Sequence, residues 1–237
     1  MTDVTMQDAL RILESLVEEG SRRCVFFVNA HTLNLTSDDP AYLSVLRTAD
    51  FIFGDGTGLR YAARLLHGIR LKDNVNGTDL IPLFFRAEEG KGYRYYLLGS
   101  TADAIARAAE HVQRMFPGWE LVGYHHGYLD DEGSNRVVEE INAAKPQVLF
   151  VGMGNPTQEL WIEANRSRLQ VPVSVGVGGL FAYWSGDLSR APAWLRRVGM
   201  EWIHLLVRQP RKFRRYVLGN PRFLLRVLWE KYFSRSL

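Results

Sequence analysis

The sequence predicts an α/β fold: a Rossmann-like, mostly parallel sheet with helices on both faces, followed by a basic helical appendage at the C-terminus. Short apolar runs typical of buried strands alternate with amphipathic patterns of helical period along most of the chain. Glycine directly follows several of these runs, as it does in turns that join a parallel strand to the next helix. With 237 residues and 46% hydrophobic content, the chain can form one large domain or two small ones.

The predicted elements alternate along the first 193 residues. In chain order they are helix 7–19, strand 23–28, helix 39–47, strand 51–53, helix 58–66, helix 78–88, strand 93–98, helix 102–116, strand 120–124, helix 134–143, strand 147–151, helix 159–168 and strand 171–177. Gly20 ends the first helix, Thr78 is a candidate N-cap, and Pro146 stops the helix before it. We find no internal repeat and no linker within this region.

The last 44 residues, 194–237, differ sharply from the rest in charge. They contain eleven Lys and Arg against two Glu, a net charge of +9, whereas the whole chain carries +3, so residues 1–193 carry −6. Aromatic side chains are interspersed among the basic ones. Such a tail fits an anionic partner: phosphate-bearing lipid, nucleic acid or the diphosphate of a small ligand. We therefore divide the chain into an α/β domain, residues 1–193, and a basic appendage, residues 194–237.

The end of this appendage has a helical pattern. Apolar side chains recur at intervals of three and four residues: Phe223, Leu224, Val227, Leu228 and Phe233. Arg222, Arg226 and Glu230 occupy another face. Such a helix can lie in the plane of an anionic membrane surface, or it can pack on its own domain with the arginines in solvent. No run approaches the ~20 apolar residues of a membrane span, and the acidic N-terminus lacks the apolar segment of a signal peptide, so we expect peripheral contact.

The sequence predicts no metal site. The single cysteine, Cys24, excludes an intrachain disulfide and a multi-cysteine site, and its apolar surroundings predict a buried strand thiol. His125 and His126 are adjacent, so they would point to opposite faces of a strand. The chain also lacks an Asp-x-Asp motif.

Four glycine turns follow predicted strands, at residues 54–58, 99, 152–154 and 176–179. Ligands of open parallel sheets bind at the carboxyl ends of the strands, where helix N-termini offer free N–H groups to anions. The four turns together therefore predict a phosphate-bearing ligand. None of them is a Walker A loop, and Gly152-Met153-Gly154 is followed by Asn-Pro rather than by the third glycine of a dinucleotide fingerprint.

Polar side chains accompany these turns. Asp55 lies between two glycines, where it can accept a proton from a substrate hydroxyl or can hydrogen-bond its own turn. Asp79 can equally be a first-turn helix carboxylate. The pair Gln158 and Glu159 begins a helix after Pro156, where the helix dipole favours Glu and where both side chains can also bind a base or a ribose.

The chain resembles the WecG/TagA/CpsF-type glycosyltransferases, glycosyltransferase family 26, through motifs that occur in the family's order. They are Asn29-Ala30, Phe53-Gly54-Asp55-Gly56-Thr57-Gly58, Ala62-Ala63-Arg64, Asn76-Gly77-Thr78-Asp79-Leu80, Leu97-Leu98-Gly99-Ser100, Gly123-Tyr124-His125-His126-Gly127-Tyr128, Val151-Gly152-Met153-Gly154-Asn155-Pro156-Thr157-Gln158-Glu159, Gly176-Val177-Gly178-Gly179, Arg190-Ala191-Pro192-Ala193-Trp194 and Glu201-Trp202. Three positions depart from the residues common in the family: Phe27, Ala182 and Leu205. These three differences affect the expected identity of the sugar and of the acceptor more than the expected type of reaction.

The resemblance implies an inverting glycosyltransferase of cell-surface polysaccharide synthesis. It would transfer a sugar, of the UDP-N-acetylmannosamine type or related, from a UDP-sugar to a polyprenyl-diphosphate-linked sugar. Residues 1–193 would be the catalytic domain, and the appendage would bind an anionic membrane at the cytoplasmic face of the inner (plasma) membrane. A homo-oligomer is an alternative partner for the apolar face of the tail.

The resemblance also implies roles for individual residues. Asp55 would be the general base, and Arg208, Arg211 and Arg214 would stabilise the diphosphate, because arginine suits phosphate oxygens and no metal is expected. The residues expected to bind the donor are Asn29, Gly56, Gly58, Asn76, Asp79, Gly99, Ser100, Gly152, Gly154, Pro156, Gln158, Glu159, Gly178 and Gly179.

Two other classes of protein remain as alternatives. A nucleic-acid-binding protein would use the basic aromatic tail, but that function leaves the four glycine turns unexplained. A Rossmann-like oxidoreductase would use the sheet, but the dinucleotide fingerprint and its ribose-binding acid are missing. We therefore expect no nucleic-acid partner and no cofactor besides the UDP-sugar substrate.

Overall fold

A six-stranded sheet forms the centre of the protein. The computed structural model describes residues 1–192, 195, 206 and 217–233. The strands are β1 (Arg23–Val28), β2 (Phe51–Gly54), β3 (Arg94–Gly99), β4 (Glu120–His125), β5 (Val148–Gly152) and β6 (Val173–Gly176). All pairs are parallel, and the strand order is β2–β1–β6–β5–β3–β4. The predicted parallel sheet is confirmed, and its carboxyl ends bring the glycine turns to one edge.

Helices connect the strands in the described part of the chain. They are α1 (Met6–Glu19), α2 (Ala30–Asp38), α3 (Pro40–Arg47), α4 (Thr57–His67), α5 (Gly77–Ala87), α6 (Ala102–Met115), α7 (Asp131–Ala144), α8 (Thr157–Asn165), α9 (Leu180–Trp184) and α10 (Gly219–Phe233). A 3₁₀ turn follows α5 at Glu89–Lys91. The prediction that Thr78 caps α5 is wrong: the cap is Asn76, whose side chain accepts a hydrogen bond from the Asp79 N–H. Asn accepts well at this position, and its cap starts the helix one residue before Thr78.

Helix α2 was not predicted because its sequence combines weak helix formers with few apolar residues. It forms through a reciprocal cap. The Asn29 side chain accepts from the N–H of Thr32, and the Thr32 hydroxyl accepts from the N–H of Asn29. Thr32 is fully buried by this arrangement.

Two hydrophobic clusters cover the two faces of the sheet. Alternate residues of β1 contribute to opposite clusters: Val25 and Phe27 to one, Phe26 and Val28 to the other. The strands are therefore buried on both faces, which explains why they read as continuous apolar runs. Cys24 is a buried strand thiol as predicted, and burial raises its pKa to about 11.

Helix α10 is the described helix of the predicted appendage, and it packs against α2 and α4. Phe223 and Val227 are buried in the cluster on that face of the sheet. The Asn34 side chain also donates a hydrogen bond to the carbonyl of Gly219, at 2.7 Å. The division of the chain at residue 193 stays a prediction.

Arg222 and Arg226 keep 52% and 35% of their side-chain surface exposed, in agreement with the alternative that α10 packs on its own domain with its arginines in solvent. Arg222 and Arg226 both pair with Asp38 at the end of α2, at 2.7 and 3.0 Å. These ion pairs at the surface connect α10 to the end of α2. Large apolar side chains are exposed on α10 as well: Leu224, Leu225, Leu228, Trp229, Tyr232 and Phe233, together with Leu218 just before the helix.

Candidate active site

A cavity of about 680 Å³ opens at the carboxyl ends of the strands, within the usual range for ligand sites of about 300–1,000 Å³. It gathers most of the residues that the sequence singled out. The predicted site residues on its wall are Asn29, Asp55, Gly56, Gly58, Asn76, Ser100, Gly152, Gly154, Gln158, Gly178 and Gly179. Those that lie away from its wall are Asp79, Gly99, Pro156 and Glu159. Arg208, Arg211 and Arg214 lie outside the described residues.

The turn that carries Asp55 is held from both sides. The Asp55 N–H donates to the carbonyl of Val28 at 2.8 Å, and the Val75 N–H donates to the carbonyl of Gly54 at 3.0 Å. The Gly56 N–H donates to the side-chain oxygen of Asn74, at 2.5 Å. These bonds fix the backbone around Asp55 at the cavity wall. Asn74 also lines the cavity, but no motif or spacing in the sequence points to it.

Helices α2, α4 and α5 begin at the cavity with different N-terminal arrangements. Asn29 caps α2 and Asn76 caps α5, so each of these asparagine oxygens already accepts backbone N–H groups. Helix α4 begins instead at Gly56, whose φ of 101° suits glycine, and no described side chain caps it. Its first turn, with Thr57 and Gly58, lies on the cavity wall and presents N–H groups that favour an anion.

Gly99 has a steric function next to the cavity. A Cβ at this position would lie 2.3 Å from the carbonyl oxygen of Gly152, and the φ of Gly99 is 145°. This close approach lets the Ser100 N–H donate to the same oxygen at 3.1 Å. Gly127 then donates to the carbonyl of Ser100 at 2.9 Å, which ties the turn after β4 to the turn after β3. Ser100, rather than Gly99, reaches the cavity wall.

Gln158 and Glu159 brace the glycine turns that follow β5 and β6. The side-chain oxygen of Gln158 accepts from the N–H of Gly154 at 3.2 Å and from that of Gly178 at 2.9 Å. Its side-chain nitrogen donates to the carboxylate of Glu159 at 2.6 Å. Glu159 is 0% exposed, and burial raises the pKa of its carboxyl above the ordinary value. Both side chains are thus engaged within the protein.

Asp79 lies in the first turn of α5, behind the wall. Its carboxylate accepts from the side-chain nitrogen of Asn76 at 2.8 Å and pairs with Arg190 at 2.5 Å. The Arg190 guanidinium also stands over the ring of Tyr183, 5.6 Å from its centre, and Tyr183 lines the cavity. Asp79 therefore connects the Asn76 cap to the segment that leads into the appendage.

Helix α10 contributes to the described wall three side chains that no sequence motif assigned to the site: Asn220, Phe223 and Leu224. The Phe223 ring lies 3.7 Å from where a Cβ on Gly58 would be. Their amphipathic spacing indicated a packed face but gave no sign that it faces a cavity. The cavity is also lined by His31, Tyr61, Met153 and Phe181, for which the sequence indicated no role in the site.

The described wall has an unusual charge distribution. Among the described residues that line the cavity, Asp55 is the one carboxylate, and there is no Lys or Arg. No cluster of His, Cys, Asp and Glu able to hold a metal ion occurs in residues 1–192 and 217–233. An aspartate in a cavity framed by glycine turns is suited to accept a proton from a bound hydroxyl.

The parallel sheet and the cavity at its carboxyl edge define an α/β protein with its ligand site among the strand-to-helix turns. The family description that matches residues 1–237 is "Glycosyl transferase WecG/TagA/CpsF family", and the chain belongs to this family. It is therefore a glycosyltransferase, as the resemblance implied.

Similar proteins with an assigned activity come from several bacteria. A Bacillus spizizenii protein is 36% identical over 190 residues, which cover 80% of this chain and 72% of that protein. A Bacillus subtilis protein is 33% identical over 193 residues, 81% of this chain and 74% of that protein. A Staphylococcus aureus protein is 30% identical over 204 residues, 85% of this chain and 79% of that protein. Each is named N-acetylglucosaminyldiphosphoundecaprenol N-acetyl-β-D-mannosaminyltransferase. No helix in the part of the chain that the structure describes is long and apolar enough to cross a membrane.

Proposed function

We propose that the protein is an inverting, metal-independent transferase that moves a sugar of the N-acetylmannosamine type from a UDP-sugar to a polyprenyl-diphosphate-linked sugar. The observation that carries the proposal is Asp55, the one carboxylate among the described residues of a cavity large enough for both reacting sugars. The names of the relatives support the same pair of substrates, a mannosaminyl donor and a diphosphoundecaprenol-linked acceptor.

The donor diphosphate would bind at the uncapped N-terminus of α4 and at the glycine turns. Thr57 and Gly58 belong to the first turn of α4, where N–H groups and the helix dipole favour phosphate. Gly154 and Gly178 follow β5 and β6 on the cavity wall, and both have positive φ values. Backbone without side chains lets a large anionic ligand approach closely at these turns.

Asp55 would act as the general base of the transfer. Its carboxylate accepts the proton of the acceptor hydroxyl as the hydroxyl oxygen attacks the anomeric carbon of the donor sugar. The bond from that carbon to the UDP oxygen breaks on the opposite face, so the configuration inverts. The leaving diphosphate gains negative charge, and the described wall offers no cationic side chain to it. We assign that stabilisation to Arg208, Arg211 and Arg214 of the appendage.

The appendage would also hold the protein at its acceptor. The exposed apolar face of α10 includes Trp229 and Phe233, whose rings stack at 4.5 Å. Such a surface, together with the basic segment 196–215 that precedes it in the sequence, suits the interface of an anionic membrane. We place the protein at the cytoplasmic face of the inner membrane, because nucleotide sugars are made on that side of the membrane. Pairing of this apolar face with a second copy is the alternative.

Replacement of the proposed base tests this function. Asp55→Asn keeps the size of the side chain but removes its capacity to accept a proton, so we expect UDP binding to persist while turnover falls by about 10²–10⁴-fold. Asp103→Asn is the matched control, because Asp103 is exposed on α6 and lies away from the cavity. Turnover in Asp55→Asn close to that of the control would remove Asp55 as the base. A loss of turnover in EDTA that magnesium restores would contradict metal independence.

A further inference from the structure

A buried carboxylate behind the cavity wall accepts hydrogen bonds from three side chains. Glu159 is 0% exposed. Its two oxygens accept from the hydroxyl of Tyr42 at 3.1 Å, from the side-chain nitrogen of Asn155 at 2.7 Å and from that of Gln158 at 2.6 Å. Tyr42 belongs to the core, whereas Asn155 and Gln158 line the cavity. The carboxylate therefore connects the core of the protein to the cavity wall.

This contact determines which way the Gln158 amide points. An amide has a donor end and an acceptor end, and an ionised carboxylate only accepts. Glu159 thus holds the nitrogen of Gln158 toward itself, and the Gln158 oxygen faces the N–H groups of Gly154 and Gly178. One amide oxygen consequently links the turns that follow two neighbouring strands, β5 and β6. If the amide were reversed, its NH₂ group would face both of these N–H donors.

We propose that Glu159 is a positioning residue of the donor site: without touching the ligand, it fixes Gln158 and thereby the separation of the Gly154 and Gly178 turns. The inference deepens the proposed function and rests on it for the identity of the ligand. This positioning role differs from direct contact with a base or a ribose, which is the role that the place of Glu159 in the sequence also allowed. The role depends on a carboxylate, because a carboxylate holds the Gln158 nitrogen more strongly than a neutral amide of equal size can.

The substitution Glu159→Gln shows why. A glutamine at this position can keep its oxygen toward Asn155 and Gln158 and donate its NH₂ group to the Tyr42 hydroxyl, which can also accept. Its neutral oxygen nevertheless holds the Gln158 nitrogen more weakly than the carboxylate does, because charge-assisted hydrogen bonds are stronger. The site is buried, and a donor that loses its partner there is not compensated by bulk water. A weaker bond between residue 159 and Gln158 lets the Gln158 amide rotate more often, and the rotated amide gives up its bonds to the two glycine turns.

The test compares Glu159→Gln with Glu163→Gln, one turn further along α8. Glu163 accepts from the Thr48 hydroxyl at 2.8 Å and pairs with Arg166, but has no contact with Gln158. We expect Glu159→Gln to raise the Kd for UDP by about tenfold, or about 1.4 kcal/mol, and to raise KM for the donor with KM for the acceptor unchanged. Hydrogen exchange at the amides of Gly154 and Gly178 should accelerate as well. The control should stay within about twofold of the parent in every measurement.

A double-mutant cycle with Gln158→Ala identifies the route. If Glu159 acts through Gln158, adding Glu159→Gln to Gln158→Ala changes the Kd for UDP by less than about twofold. Additive effects would overturn the proposal. If Glu159→Gln does not fold, Tyr42→Phe replaces it in the cycle, because this variant removes a single donor from the same carboxylate. Tyr42→Phe should accelerate hydrogen exchange at Gly154 and Gly178 by a smaller factor. Unchanged exchange would overturn the proposal.

The two readouts separate this proposal from the proposed function. Unchanged exchange at Gly154 and Gly178 in a folded Glu159→Gln protein would overturn the positioning role, whatever the ligand. Faster exchange with an unchanged Kd for UDP would overturn the link to the donor site. If the parent protein itself bound no UDP, the proposed donor would be wrong, and the exchange rates would still decide whether Glu159 positions the turns.

Discussion

Phe223 is the side chain of α10 through which the appendage both packs on the body and closes the cavity. It is 5% exposed, and it lines the cavity beside Gly58. Burying a phenylalanine side chain contributes about 1.5–3 kcal/mol, and we take about 2 kcal/mol for a contact between one helix and the body. Phe223→Ala should therefore increase the undocked population of α10 by about 30-fold, since 1.4 kcal/mol corresponds to a factor of ten.

Two variants on the same helix separate docking from closure of the cavity. Val227 is buried but does not line the cavity. Val227→Ala removes two methyl groups, about 1.6 kcal/mol at 0.8 each, and should increase the undocked population by about 15-fold. Leu225 is 66% exposed, so Leu225→Ala should leave docking unchanged and serves as the control.

Hydrogen exchange of the α10 amides, measured together with turnover, tests this reasoning. We expect exchange to accelerate in the order Leu225→Ala, Val227→Ala, Phe223→Ala, while turnover falls most for Phe223→Ala because that variant also loses part of the wall. Unchanged exchange in Phe223→Ala would refute the packing argument. Parent-like turnover in a variant whose α10 exchanges rapidly would refute the role of α10 in closing the site.

Two further predictions concern pH and a glycine turn. Hydrogen bonds from Arg226 and Arg222 of α10 lower the pKa of Asp38 below its ordinary value of 3.8. The contribution of Asp38 to the docking of α10 is therefore fully present above pH 3.8 and is lost as the pH falls through the lowered pKa. Asp38→Asn should remove this contribution at neutral pH and speed proteolytic cleavage within α10; an unchanged cleavage rate would count against the ion pairs. Gly99→Ala places a methyl group 2.3 Å from the Gly152 oxygen and should lower the free energy of unfolding by about 3 kcal/mol or more in urea titrations. Gly20→Ala, also at positive φ but with open space around the new methyl group, should cost only about 1 kcal/mol, and equal costs at the two sites would contradict the steric argument.

Much of the fold was predictable because buried parallel strands have a simple pattern. Strand β1 occupies the predicted residues 23–28, since side chains on both faces are buried and the whole run is apolar. Helix α2 was missed because its formation depends on the reciprocal cap of Asn29 and Thr32 more than on periodicity. A single cap is a weak signal within a sequence of otherwise poor helix formers.

The candidate site was predictable where glycine turns end strands, because the carboxyl ends of parallel strands meet at one edge. Orientation was harder to predict. Helical spacing separated Arg222 and Arg226 from the apolar residues of α10, but it could not show that both would pair with Asp38. In the same way, the sequence placed Gln158 and Glu159 at a helix start without showing that Tyr42 and Asn155 bind the carboxylate from behind. Contacts between distant parts of the chain decided both cases.

The central claim is acceptor-dependent sugar transfer from a UDP-sugar. The most direct test measures UDP release by the purified protein in EDTA, across a panel of UDP-sugars, with and without a polyprenyl-diphosphate-linked N-acetylglucosamine. The account predicts release with a donor of the N-acetylmannosamine type, only when the acceptor is present, and its loss in Asp55→Asn. Release that requires a metal, or that proceeds equally without the acceptor, would contradict it.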